Sequence, residues 1–159
     1  MKLIAHRGNT HGPDEVNENS PDYIDKSLSE GYDAEIDVRY DPITTVFWLG
    51  HDEPQYKVSW KWMANRAELI WIHCKDITTL HEFTKYEHAG YKYFWHDQDD
   101  HTLTSNKYIW TFPGKSVFAI MSSGLTLLPI LVDTAPFSGN LRSFNIFVFF
   151  KTFKPGVYE

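Results

Sequence analysis

The segment Ala34-Glu35-Ile36-Asp37-Val38 constrains the fold more than any other part of the chain, because apolar side chains alternate in it with two carboxylates. In an extended strand, successive side chains point to opposite faces, so Glu35 and Asp37 share one face and the apolar residues share the other. Neighbouring carboxylates repel each other unless a cation or deep solvent relieves the charge. Two interpretations remain open: a cation site, or two solvated acids on an edge strand.

The residues before this strand predict a βαβ unit. Leu3 to Ala5 form a short apolar run that is typical of a buried strand. Ser20-Pro21 has the pattern of a helix N-cap followed by proline at the first helical position, and a helix is expected from Asp22 to Glu30. Gly31 would end this helix. A strand, a helix and a second strand in this order favour parallel pairing and an α/β fold.

Polar or ionisable residues recur directly after the predicted strands of the next sixty residues. Active sites lie at the carboxyl ends of the strands in barrels and in open parallel sheets, so one site is expected there. A helix is predicted from Ile77 to about His88, with Asp76 as its cap, and a polar loop from Gln98 to Asn106. The strands and the residues that follow them are Val46–Leu49 with Gly50-His51-Asp52, Leu69–Ile72 with His73-Cys74-Lys75, and Tyr91–Trp95 with His96-Asp97.

Length, charge and cysteine content limit the classes of function. A chain of 159 residues has the length of one domain, and its formal net charge of -6 argues against binding the phosphate backbone of nucleic acid. A small phosphate-bearing substrate remains compatible, because a bound metal reverses the local field. Cys74 is the single cysteine, so no internal disulfide forms and a cytoplasmic location is favoured. The apolar runs are shorter than the roughly 18 residues that a membrane span needs, so no membrane span is expected.

The composition changes from about Val117 onward. All eight histidines and all six tryptophans come before this point, and the last 43 residues contain only two acidic groups, Asp133 and Glu159. We therefore predict a core of residues 1–121 and an apolar tail of residues 122–159. Two interpretations of the tail remain open: it completes the fold, or its residues from about Ser122 derive from a frameshift.

Four motifs of the N-terminal third together resemble the glycerophosphodiester phosphodiesterase family. They occur in the order of the family and at suitable distances, and the resemblance covers residues 1 to about 52. A weaker similarity to short bacterial and phage-type members continues to Gly114. The four motifs are Ala5-His6-Arg7-Gly8, Glu18-Asn19-Ser20, Gly31-Tyr32-Asp33-Ala34-Glu35-Ile36-Asp37-Val38 and Gly50-His51-Asp52.

The resemblance implies a fold and an activity. Members of the family are (β/α)8 barrels, which typically have about 250 residues, so a truncated or incomplete TIM-barrel-like (β/α) barrel is expected for this chain. The implied activity is metal-dependent hydrolysis of a small glycerophosphodiester-like substrate to an alcohol and a phosphomonoester of the glycerol 3-phosphate type. Two alternatives stay open: a non-catalytic remnant that binds metal or phosphate, and a phospholipase D-like enzyme that forms a cyclic phosphate.

The resemblance also implies which residues do the chemistry. A phosphodiester is anionic and its leaving alkoxide is poor, so the reaction needs a base, an acid and a cation. His6 and His51 match the acid–base pair of the family. Arg7 and Lys75 would bind the phosphate oxygens. The alternatives are a salt bridge from Arg7 to Glu18 or Glu35, and an interior ion pair for Lys75.

Four residues are expected to hold the metal. Glu35 and Asp37 are hard oxygen ligands suited to Mg²⁺ or Ca²⁺, and they match the metal-binding carboxylates of the family. Glu18 matches a glutamate that contacts the metal or orients Arg7 or His6. His73 stands where many members have a further acidic ligand, which leaves the choice of metal open because imidazole is a softer ligand than carboxylate.

Overall fold

The computed structural model describes residues 3–86, 89–111, 130–133 and 146–150. The fold of these residues consists of ten strands and three helices. No helix among them is long and apolar enough to cross a membrane. The elements are β1 (Leu3–His6), α1 (Pro21–Ser29), β2 (Asp33–Asp41), β3 (Val46–Leu49), β4 (Tyr56–Val58), α2 (Trp60–Ala64), β5 (Ile70–Cys74), α3 (Ile77–Thr84), β6 (Lys92–Phe94), β7 (His101–Leu103), β8 (Ile109–Thr111), β9 (Ile130–Asp133) and β10 (Ile146–Phe150).

The predicted βαβ unit is confirmed. Strands β1 and β2 pair in parallel, with His6 opposite Glu35. Helix α1 connects them and begins as predicted, since the Ser20 side chain accepts a hydrogen bond from the backbone N–H of Tyr23. The apolar side of α1 is buried through Ile24. This unit therefore delivers the end of β1 to the acidic face of β2.

Strand β2 lies inside the sheet rather than at its edge. It pairs in parallel with β1 on one side and with β5 on the other, and β6 continues the parallel arrangement beyond β5. Glu35 and Asp37 are consequently buried, with 1% and 0% of their surface exposed. The interpretation of two solvated acids on an edge strand is therefore wrong.

The prediction of a (β/α) barrel is wrong. The strands form one open sheet of mixed direction, and no barrel closes within the described part of the chain. Strand β3 follows β2 through a tight turn, in which the Asp41 carboxylate accepts hydrogen bonds from Ile43 and Thr44, and it pairs antiparallel to β2. Strands β7 and β8 form a second antiparallel pair. Because these hairpins replace βα units, the alternation that a barrel requires is interrupted.

Two short strands, β9 and β10, are the described part of the predicted tail of residues 122–159. Strand β10 pairs antiparallel with β1, and β9 joins β10 to β8. The predicted boundary at residues 121 and 122 lies outside the described residues. The frameshift remains a hypothesis about the gene.

Two smaller predictions need correction. Helix α3 ends at Thr84 instead of reaching His88, which lies outside the described residues, as Lys85 caps the helix. The segment from Gln98 to Asn106 contains strand β7, which was predicted as loop. Strand β7 lies at the end of the strand order and is therefore an edge strand. Polar side chains are common on edge strands, so the polar sequence is compatible with β7.

The two faces of the sheet differ in what covers them. Ile36 and Ile72 belong to the larger apolar cluster, which also includes Phe83 of α3. The opposite face carries a smaller cluster of Ile4, Trp71, Phe94 and Trp110. Glu35, Asp37 and His73 alternate with the apolar residues of β2 and β5, so they lie on the same face as Trp71.

Cys74 lies in the larger apolar cluster and has none of its surface exposed. Burial, reinforced by the charge of Asp76, raises the pKa of its thiol far above the usual range. The thiolate is the reactive form, so we expect no reaction with an aromatic disulfide reagent at pH 8 in the native state and one thiol per chain in denaturant. Stoichiometric labelling of the native protein within minutes would contradict this burial.

Candidate metal and phosphate site

Pairing of β2 with β5 brings two carboxylates and one imidazole together. Asp37 is the direct partner of His73 in the sheet register. The His73 Nδ1 atom lies 2.9 Å from Asp37 Oδ1 and 3.7 Å from Glu35 Oε1. One ligand atom from each of the three side chains lies within 4.8 Å of the others, so this group could hold a metal ion.

The end of β1 adds a histidine and an arginine. The His6 Nε2 atom lies 3.7 Å from Glu35 Oε2. Arg7 adopts a left-handed backbone conformation with φ of 55°, and its guanidinium contacts two acids. Its Nε lies 3.0 Å from Asp37 Oδ2, and its Nη1 donates to Glu18 Oε1 at 2.7 Å. The salt bridge to Glu18, one of the alternatives considered for Arg7, is therefore present.

Glu18 was predicted to contact the metal or to orient Arg7 or His6, and its nearest charged partner in the structure is the Arg7 guanidinium. Its other carboxylate oxygen lies 3.4 Å from the side-chain nitrogen of Asn9. It is not part of the three-residue group that could hold a metal. Lys75 forms the interior ion pair that was one of its two interpretations, with Nζ 3.3 Å from Asp37 Oδ1.

Asn19 is a positioning residue that sequence analysis did not assign. It is fully buried and adopts a φ of 61°. Its side-chain nitrogen donates to Asp37 Oδ2 at 2.9 Å, and its oxygen accepts the backbone N–H of Asp37 at 3.0 Å. This two-point contact fixes the carboxylate. The only sequence signal for it is its position inside the motif Glu18-Asn19-Ser20.

His51 follows β3. The Arg39 side chain holds its loop, and the Asp52 side chain contacts its ring. The Arg39 guanidinium donates to the backbone carbonyls of His51 and Asp52, each at 2.8 Å. The His51 Nδ1 atom lies 2.7 Å from the Asp52 carboxylate, and this contact orients the ring. The side chain of His51 remains 38% exposed, so the ring is accessible to a substrate.

A cavity of about 650 Å³ opens above these residues. It brings together five of the predicted site residues and adds an aromatic wall from Trp95, His96 and Trp110. Asp99 and Asp100, which follow in the chain, do not line it. The predicted residues at the cavity are His6, Arg7, His51, His73 and Lys75.

The carboxylates differ strongly in their pKa. Burial and the charge of Asp37 raise the pKa of Glu35 well above its usual range, although Arg7 and Lys75 oppose this effect. Burial also raises the pKa of Asp37, but the hydrogen bond between His73 and Asp37 and the positive charges nearby outweigh that effect and hold the pKa of Asp37 below its usual range. Asp37 is therefore the ionised member of the pair. The positive charges of Arg7 and Lys75 do not offset the effects of burial and of Asp37 on the Glu35 carboxyl.

The buried histidines are neutral at pH 7. Burial, with the charge of Arg7, lowers the pKa of His6 to about 3. Burial lowers the pKa of His73 as well, against the opposing effect of Asp37. Once Glu35 is ionised, the three acids Glu18, Glu35 and Asp37 carry one more charge than the two cations Arg7 and Lys75 can balance. The site can therefore accept a further cation.

Gly50 sets the direction of the chain before His51. It adopts a φ of +150°, and an added Cβ would overlap the backbone carbonyl of Glu53. We expect Gly50→Ala to lower the free energy of unfolding by about 1–3 kcal/mol, because a strained backbone must shift to make room. Urea unfolding measures this loss, with Gly31→Ala as a control, since Gly31 also has positive φ but open space around it. An equal loss in both variants would contradict the role assigned to the Glu53 carbonyl.

Comparison of the chain with protein-family models, curated proteins and solved structures gave no match.

Proposed function

We propose that this protein hydrolyses small phosphodiesters of the glycerophosphodiester type, releasing an alcohol and a phosphomonoester of the glycerol 3-phosphate type. One observation carries the proposal: His6 and His51 line the same cavity as the cations Arg7 and Lys75, beside a buried carboxylate pair. The resemblance of the motifs that contain these residues supports it. The proposal depends on this cavity and does not require a barrel.

The residues around Glu35 fit a divalent cation. Its carboxyl is buried beside a second acid and lacks sufficient positive charge, which a metal would supply. Glu35, Asp37 and His73 would hold the ion, for which the resemblance implies Mg²⁺ or Ca²⁺. When bound, such an ion neutralises developing charge on a phosphoryl group and acts as a Lewis acid.

Arg7 and Lys75 would bind the phosphate. Arg7 presents a planar set of donors that matches phosphate oxygens, and Lys75 provides a point charge.

His6 and His51 would transfer the protons. His6 is neutral and buried, so the unprotonated nitrogen of its ring would accept the proton of the attacking hydroxyl, from water or from the substrate itself. The oxygen of this hydroxyl bonds to phosphorus, the bond from phosphorus to the leaving oxygen breaks, and His51 gives a proton to the leaving oxygen. Where the substrate hydroxyl attacks, the product is a cyclic phosphate, which water then opens to the phosphomonoester. The Asp52 carboxylate orients the His51 ring for this step.

The size of the cavity supports a small-molecule substrate, since ligand sites in proteins commonly enclose about 300–1,000 Å³. A cytoplasmic location is part of the proposal, and the single cysteine of the chain favours it without fixing the compartment.

A panel of glycerophosphodiesters tests the proposal. The purified protein is assayed on glycerophosphocholine, glycerophosphoethanolamine and glycerophosphoglycerol with Mg²⁺, Ca²⁺ or a chelator. We expect release of the alcohol from at least one substrate with metal and loss of that activity with chelator. Activity that resists the chelator would contradict the mechanism. A folded protein that binds metal but turns over no substrate would favour the non-catalytic alternative.

A further inference from the structure

The His73 ring is fixed by stacking on two neighbouring rings. Its imidazole stacks on Phe94 with centroids 5.1 Å apart and on His96 with centroids 4.7 Å apart, and both interplanar angles are 5°. Only 12% of its side-chain surface is exposed. Strand β5 and the stacked rings therefore fix both the position and the tilt of the imidazole.

The Nδ1 edge of the ring faces two acids. The Nδ1 atom lies 2.9 Å from a carboxylate oxygen of Asp37 and 3.7 Å from one of Glu35. One ligand atom from each of the three side chains lies within 4.8 Å of the others. An imidazole nitrogen and two carboxylate oxygens are therefore held close together on one face of the sheet.

A metal ion between Nδ1 and the carboxylates would relieve the repulsion between the two buried acids. The three side chains would supply three ligand atoms, and water or substrate would complete the coordination, as in catalytic sites.

The donor set determines the class of metal. Mg²⁺ and Ca²⁺ prefer oxygen ligands, whereas imidazole nitrogen suits first-row transition metals. We propose that Glu35, Asp37 and His73 form a site for a transition-metal dication such as Zn²⁺ or Co²⁺, which His73 selects over Mg²⁺ and Ca²⁺. This inference rests on the metal site of the proposed function but not on hydrolysis.

Titration with Co²⁺ and with Mg²⁺ tests the selection. Calorimetry compares the wild-type chain with His73→Glu, which makes the donor set all oxygen, and with His81→Gln, a matched change at an exposed histidine of α3. We expect His73→Glu to lower Co²⁺ affinity about tenfold or more and to maintain or raise Mg²⁺ affinity. His81→Gln should leave both affinities unchanged.

Nitrogen NMR of the wild-type histidines provides a readout that needs no variant. We expect Zn²⁺ to shift Nδ1 of His73 and to leave its Nε2 protonated. An unchanged His73 resonance at saturating Zn²⁺, or equal Co²⁺ affinity in wild type and His73→Glu, would overturn the inference.

The outcomes separate this inference from the proposed function. Binding with the expected selectivity but no turnover of phosphodiesters would contradict only the hydrolase. If the protein turns over a phosphodiester with Mg²⁺, and His73→Glu does not change the metal preference, the hydrolase stands. Only the proposal that His73 selects transition metals over Mg²⁺ and Ca²⁺ is then contradicted.

Discussion

Replacing either cavity histidine is expected to abolish most of the activity. We expect His6→Ala and His51→Ala each to lower kcat by about 10²- to 10⁴-fold, the range that general acid–base groups contribute. His6 would accept the proton of the nucleophile, and His51 would protonate the leaving oxygen. The substrate should still bind, since Arg7 and Lys75 remain, so KM should change much less. Steady-state kinetics on the best substrate of the panel measures both parameters.

His81→Ala is the matched control for these variants. His81 lies on the exposed surface of α3 and does not line the cavity. It should retain wild-type kcat and KM. Wild-type kcat in His6→Ala or His51→Ala, with the fold intact, would remove that residue from the acid–base pair.

Neutralising the two carboxylates one at a time is expected to have opposite effects on stability. Asp37 is ionised and contacts Arg7, His73 and Lys75, so Asp37→Asn removes one of the two acids that contact Arg7 and the carboxylate that contacts Lys75. We expect it to lower the free energy of unfolding by about 3–5 kcal/mol, the cost of removing one partner from a buried ion pair. Urea unfolding at pH 7 in the presence of chelator measures the loss.

Glu35→Gln should behave differently in the same experiment. The folded-state pKa of Glu35 lies above its unfolded value, so the carboxyl opposes folding once the pH exceeds the unfolded value. Glutamine removes that opposition, and the metal-free protein should be at least as stable as wild type at pH 7. Metal binding and activity should be lost, because a ligand charge is gone. A large loss of stability in Glu35→Gln would contradict the assigned difference between the two acids.

The strand that carries the site was predictable because its signal is local. The alternation of Glu35 and Asp37 with apolar residues fixes one acidic and one apolar face, whatever the strand pairs with. The N-cap at Ser20 likewise fixes the start of α1. The βαβ unit that results places His6 beside Glu35.

The open sheet of mixed direction was not predictable from these signals, because the direction and pairing of the later strands depend on contacts between distant residues. A strand at Val46–Leu49 was expected, but its antiparallel pairing depends on the turn that Asp41 stabilises. Burial of the acids follows from β5 covering the second side of β2, which the segment Ala34–Val38 does not encode by itself.

The candidate site was predictable as a set of residue types at strand ends, but not as a network. The pairing of Arg7 with both Glu18 and Asp37 depends on a loop with positive φ at Arg7 and Asn19. The stack of His73 on His96 depends on parallel pairing of β5 with β6. Periodicity of the sequence carries neither kind of information.

Phosphorus NMR of one glycerophosphodiester during incubation tests the hydrolase most directly. With a divalent metal, the diester resonance should disappear and that of glycerol 3-phosphate should appear, and neither change should occur in His6→Ala. Accumulation of a cyclic phosphate that is not opened would instead favour the alternative activity, the phospholipase D-like reaction. An unchanged diester spectrum across the whole panel, with folded protein and each metal present, would contradict the assignment of this cavity as a phosphodiesterase site.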